Sequence, residues 1–177
     1  MVTDLRNRKL DRAFGHMDLD ADGTVGREDL LGLGARILVG FGESPTTTTG
    51  RKLIDSFDAI WDTLAGDRDG RITAEEFHGR MTAAFIEGDS FEPVFAPAAQ
   101  AVAELCDTDG DGQIGPAEFR IMLSAFCTAY DDVDAAFDRL DRDVDGRLSV
   151  AELVEATRQY YTGDDPHAAG NWLYGPL

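Results

Sequence analysis

Three twelve-residue stretches of this 177-residue chain space their carboxylates alike. Asp18, Asp20 and Asp22, then Asp107, Asp109 and Asp111, then Asp141, Asp143 and Asp145 stand at positions 1, 3 and 5, and Asp29, Glu118 or Glu152 closes each stretch at position 12. Hard divalent cations are bound by such oxygens: Ca²⁺ takes six to eight of them at ~2.3–2.6 Å, and alternate carboxylates supply three vertices of the shell. Gly23, Gly112 and Gly146 at position 6 permit the sharp turn that aims the position 7 carbonyl inward. Thr24, Gln113 and Arg147 are therefore candidate ligands, the last two through backbone oxygen only. The position 12 acid reaches back from the following helix to complete the shell.

The first stretch departs in one respect. Asp29 is one methylene shorter than glutamate, so bidentate reach is harder and a six-coordinate shell is easier, which narrows the preference for Ca²⁺ over Mg²⁺. Its neighbour Glu28 is expected to face solvent. A fourth stretch, residues 65–76, has Ala65 at position 1 and adds Arg68 and Arg71, while Glu76 stands three residues after Thr73 as in a capping box. It is expected to hold no ion and to serve as structural partner of the first loop, pairing Ile72 with Val25.

Helical apolar spacing precedes each loop: Leu10, Phe14 and Met17; Phe57, Ile60, Trp61 and Leu64; Val102, Leu105 and Cys106; Val133, Phe137 and Leu140. Leu30, Phe77, Phe119 and Leu153 open the helices that follow. The repeat of helix, loop and helix predicts an all-α protein. Loop starts are 47, 42 and 34 residues apart, with an insertion of turn composition from Gly42 to Thr49. A break from Glu87 through Pro93 and Pro97 divides the chain into an N-terminal pair, 1–88, with loop 18–29 competent and loop 65–76 degenerate, and a C-terminal pair, 89–177, with loops 107–118 and 141–152 competent and an apolar tail.

On these motifs the chain resembles the EF-hand superfamily, and within it the sarcoplasmic calcium-binding protein family and its bacterial, calerythrin-like branch. Four units span nearly the whole length, the second loop is disabled and the first ends in Asp. The resemblance implies two packed EF-hand pairs in one compact, mostly helical protein with a cytoplasmic role in Ca²⁺ buffering. Three ions are expected, with Mg²⁺ competing above all in the first loop.

Composition bounds the alternatives. With 34 acidic against 16 basic residues the net charge is −18, which repels nucleic acid and anionic lipid. No stretch reaches the ~18 apolar residues of a spanning helix, and residues 1–14 lack the apolar run of a secretory signal. Cys106 and Cys127 are too few for a disulfide framework, fit a reducing cytosol and read as small core residues. No enzyme is expected: Gly32-Leu33-Gly34 lacks the third glycine of a dinucleotide loop, and His16, His78 and His167 show no ligand spacing. A sensor that opens on Ca²⁺ and regulates a protein target is the alternative to a buffer. Promiscuous sensor grooves favour Met, of which the chain has four; no target is indicated, and a monomer is expected. The ending Trp172-Leu173-Tyr174 is expected to fold back into the cleft between the two halves.

Overall fold

The computed structural model describes residues 4–65 and 70–177. Its elements run α1 (Asp4–Met17), β1 (Thr24–Val25), α2 (Arg27–Gly40), α3 (Thr48–Ala65), β2 (Ile72–Thr73), α4 (Ala74–Met81), α5 (Ala96–Cys106), β3 (Gln113–Ile114), α6 (Pro116–Ala125), α7 (Tyr130–Leu140), β4 (Leu148–Ser149) and α8 (Val150–Thr162). The fold is all-α, and its strands are two-residue clasps between loops. Val25 pairs with Ile72 and Ile114 with Leu148, each antiparallel. All four of these side chains are buried. Each clasp thus fixes one loop against another while its position 8 side chains enter the core.

Helix formation follows the apolar stripes. On α3, Leu53, Phe57, Ile60, Trp61 and Leu64 recur every three or four residues and all are buried. Of the residues flanking the loops only Val102 is partly exposed; Leu30, Phe77, Phe119 and Leu153 are fully inside. The stripes of these helices meet in one continuous core, where α3 packs on α5, α2 on α6, and α5 on α8.

The break read at residues 87–97 is mostly helical. α4 continues into a π-helical turn, Thr82–Ile86, and a second, Phe91–Phe95, leads directly into α5. Pro97 sits in the first turn of α5, where its missing N–H leaves nothing unpaired. Phe91 and Phe95, one turn apart, bury their stacked rings and so favour helix over loop. Only Glu87–Ser90 remains as a link. Gly88 is required there, because a Cβ would lie 2.5 Å from the Ala83 carbonyl oxygen.

Chain ends are joined. Lys9 of α1 is 1% exposed and its ammonium donates to the carbonyls of Gln159 and Gly163, at 3.1 and 3.2 Å, at the C-terminus of α8. A cation suits that end of a helix. Burial nevertheless pushes its pKa down to about 8. Tyr160 returns the contact by donating its hydroxyl to the Lys9 carbonyl at 3.3 Å.

The tail folds back over the same region. Arg12 donates to the carbonyls of Tyr174, Gly175 and Pro176. Leu173 and Tyr174 are buried, and the Tyr174 hydroxyl meets that of Tyr161 at 3.2 Å. Both residues line an apolar cavity of about 50 Å³ shared with Met17, Leu30, Phe57 and Phe95. That volume is well below the ~150 Å³ that accommodates benzene, so the tail leaves little unfilled.

One expectation changes here. Cys106 is buried, with its thiol pKa pushed far up by desolvation, but Cys127 is exposed. α6 ends two residues before it, and the chain leaves through a left-handed residue, Cys127 itself at φ 56°. His16, in the last turn of α1, is half-buried against the rings of Tyr174 and Phe126 at 4.7 and 5.5 Å, where burial, with Arg12 and Arg36 nearby, pushes its pKa down to about 4.

Truncating Tyr174 to Ala removes a ring from this packed interior and is expected to destabilise the protein by about 3 kcal/mol, with increased binding of an apolar dye. Denaturant unfolding measures it; an unchanged midpoint would show that the tail contributes nothing to the core.

Candidate metal centres

Each loop start is shaped by its own first carboxylate. Asp18 accepts from the amides of Asp22 and Gly23, at 3.1 and 3.0 Å. Asp107 does the same with Asp111 and Gly112, at 3.0 and 2.9 Å, and Asp141 with Asp145 and Gly146, at 3.2 and 2.9 Å. The position 5 carboxylates Asp22, Asp111 and Asp145 accept in turn from the amides of Thr24, Gln113 and Arg147, at 2.9, 2.8 and 2.8 Å. The loop backbone therefore spends its N–H groups on holding carboxylates in place. Ala65, at the corresponding point of the second loop, offers no acceptor; residues 66–69, including Arg68, lie outside the described residues.

These bonds bring the acids together. One carboxylate oxygen from each of Asp18, Asp20 and Asp22 lies within 4.8 Å of the others, as do those of Asp107, Asp109 and Glu118 and those of Asp141, Asp143 and Asp145. Converging anionic oxygens on partly exposed loops suit a hard divalent cation in ligand type and in charge. Partial desolvation, with the Asp145 carboxylate beside it, raises the pKa of Asp143. Hydrogen bonds from the Thr24 hydroxyl and amide, reinforced by Arg71, lower that of Asp22.

Position 12 has a second role. Asp29 accepts from the Gly26 amide at 2.8 Å, Glu118 from Gly115 at 2.8 Å, and Glu152 from Ser149 at 2.9 Å. Glu76 of the second loop does the same with Thr73 at 3.0 Å. All four acids cap the helix they open. Glu118 adds bonds from the Thr108 amide and hydroxyl, at 2.9 and 2.6 Å, which draw it into its cluster. Asp29 is buried and its pKa is raised, chiefly by burial.

Arg147, expected to serve through its backbone oxygen only, also reaches its side chain across to Asp111 of the partner loop. Arg71, read only as added positive charge, does the same towards the first loop. Both occupy position 7 of the second loop in a pair. The signal was that shared position, since a residue beside the strand clasp must face the opposite loop.

Positions 4 and 6 of the loops are left-handed: Ala21, Gly110 and Val144 at φ 55°, 75° and 60°, and Gly23, Gly112 and Gly146 at 83°, 81° and 81°. Val144 is β-branched and 84% exposed, so strain there is uncompensated by packing. Replacing it with Asn, which tolerates this conformation, is expected to raise stability by about 1 kcal/mol. Chemical denaturation with and without Ca²⁺ checks this, and a lower midpoint in both would contradict it.

Comparison with known proteins agrees with this geometry. The EF hand family model matches residues 66–80, 105–123 and 133–155. Calerythrin of Saccharopolyspora erythraea is 30% identical over 170 residues, covering 92% of this chain and 96% of that protein. The sarcoplasmic calcium-binding protein beta chain of Penaeus sp. is 27% identical over 176 residues, covering 90% of each. Among solved structures, a calcium-binding protein of Streptomyces coelicolor superposes with a TM-score of 0.75 at 32% identity, over 90% of this chain and 99% of that one. The chain belongs to the EF-hand family, in the branch that contains calerythrin and the sarcoplasmic calcium-binding proteins.

Proposed function

We propose that the protein is a Ca²⁺ buffer with three divalent-cation sites. The first would use Asp18, Asp20, Asp22, Thr24 and Asp29, the second Asp107, Asp109, Asp111, Gln113 and Glu118, and the third Asp141, Asp143, Asp145, Arg147 and Glu152. The observation that carries this reading is the convergence of three carboxylate clusters, each held by its own loop amides. The sarcoplasmic protein of Penaeus sp. and the Streptomyces coelicolor protein, both named for binding calcium, support the choice of ion. Mg²⁺ competes most strongly in the first loop, where the shorter Asp29 favours a six-coordinate shell. The two EF-hand pairs, 1–88 and 89–177, act as the binding units of a cytoplasmic monomer.

Buffering rather than sensing is supported by the closed interior. Leu173 and Tyr174 line the remaining space between the two halves, and of the exposed large apolar residues among the described residues only Val39 and Ile121 share one surface depression, while Leu19 and Val144 lie in separate loops. A sensor must present a contiguous apolar groove. The sensor reading is kept because the Streptomyces coelicolor relative is described as a mediator of calcium-dependent regulation.

Ca²⁺ titration with and without millimolar Mg²⁺, followed by calorimetry and apolar-dye fluorescence, separates the two. A buffer gives three Mg²⁺-sensitive equivalents and no dye signal, whereas dye binding on Ca²⁺ addition would favour the sensor. Glu118→Gln and Glu152→Gln are each expected to remove one tight equivalent; unchanged stoichiometry in both would sink the ligand assignment. Because the ions bind the folded state, each tight site also adds stability as RT ln(1 + [L]/Kd), about 2.7 kcal/mol at a hundredfold excess over Kd.

A further inference from the structure

Arg71 belongs to the second loop but its side chain lies among the carboxylates of the first. The antiparallel clasp sets Thr24 opposite Thr73, which carries position 7 of the second loop over positions 3 to 12 of its neighbour. From there one guanidinium nitrogen donates to Asp22 and, at 3.2 Å, to the Thr24 hydroxyl, while the other donates to Glu28 at 2.8 Å. Asp29 and Asp20 stand 3.6 and 3.7 Å away. Three of the four carboxylates proposed to ligate the first ion are therefore against one guanidinium. Arg147, in the equivalent place of the C-terminal pair, forms an ion pair with Asp111 alone among the described residues.

A guanidinium is permanently charged, has donors only and spreads them in a plane. It satisfies carboxylates but cannot join them in a coordination shell. A divalent cation and Arg71 thus draw on the same oxygens, and two positive charges at that distance repel. We propose that Arg71 is a tethered competitor that lowers the divalent-cation affinity of the first loop and stabilises the ion-free protein. The second loop, lacking the position 1 oxygen, would then set the working range of its partner instead of holding an ion. This rests on the first loop being a cation site, as proposed above.

The two effects have opposite signs in a variant. In a chain carrying Glu118→Gln and Glu152→Gln, in which the first loop is the remaining site, Arg71→Gln is expected to lower the calorimetric Kd for Ca²⁺ about tenfold. It is also expected to lower the unfolding temperature measured in chelator. Arg71→Lys keeps the charge but loses the fork, and should fall between the two. A Kd that stays the same or rises in Arg71→Gln overturns the inference, as does a tighter site with no loss of stability in chelator. If the parent double variant binds no Ca²⁺, the first loop is not a site and the inference falls with that reading, an outcome distinct from the other two.

Discussion

Carboxylates gathered within a few ångströms repel one another, and the loops hold them there by donating main-chain N–H groups to them. Asp18, Asp107 and Asp141 each take two such bonds, and the position 5 acids take the next amide along. The rest of the architecture follows from making that arrangement durable. A loop whose amides are committed to side chains has few left for regular structure, so it needs support from outside. Helices supply it at both ends through apolar stripes, and the strand clasps supply it between loops by burying Val25 against Ile72 and Ile114 against Leu148.

Charge is distributed in the same spirit. Twelve of the 34 acidic residues stand at positions 1, 3, 5 and 12 of the three acidic loops, so the remaining excess over the 16 basic residues is only six. Much of the net charge is thus concentrated in three places. Position 12 is where electrostatics and secondary structure meet, since the acid that closes each loop also caps the helix it begins, near the positive end of that helix dipole. Arg71 and Arg147 reach these carboxylates from the partner loop, where the strand clasp aims them.

Much of this was legible in the sequence, for a physical reason: loops with fixed spacing and stripes with a fixed period leave a periodic trace. The pairing of Val25 with Ile72 followed from loop position alone. What was not legible depends on distant parts of the chain. Pro93 and Pro97 suggested a break, but the buried rings of Phe91 and Phe95 hold that segment in a helical turn. Cys127, expected as a small core residue, is exposed because α6 ends at Ala125. His16 has no local pattern to reveal that Tyr174, more than a hundred and fifty positions away, packs on its ring. Arg147 was visible as a loop residue, whereas the reach of its side chain depends on the facing loop.

The bonds from Lys9 to Gln159 and Gly163 span 150 and 154 positions, and those from Arg12 to the tail reach further still. Such closures make the order of assembly matter. While the chain is being synthesised, α1 has neither α8 nor the tail to pack against, and the first loop grows from a helix whose buried lysine has no carbonyls to meet. Contacts between such remote positions also slow folding, because the chain entropy of the closure is lost before the contact forms. The first acidic loop to be made is therefore the last to gain its full scaffold, and a chain lacking Leu173 and Tyr174 would carry an N-terminal half with its inner face open.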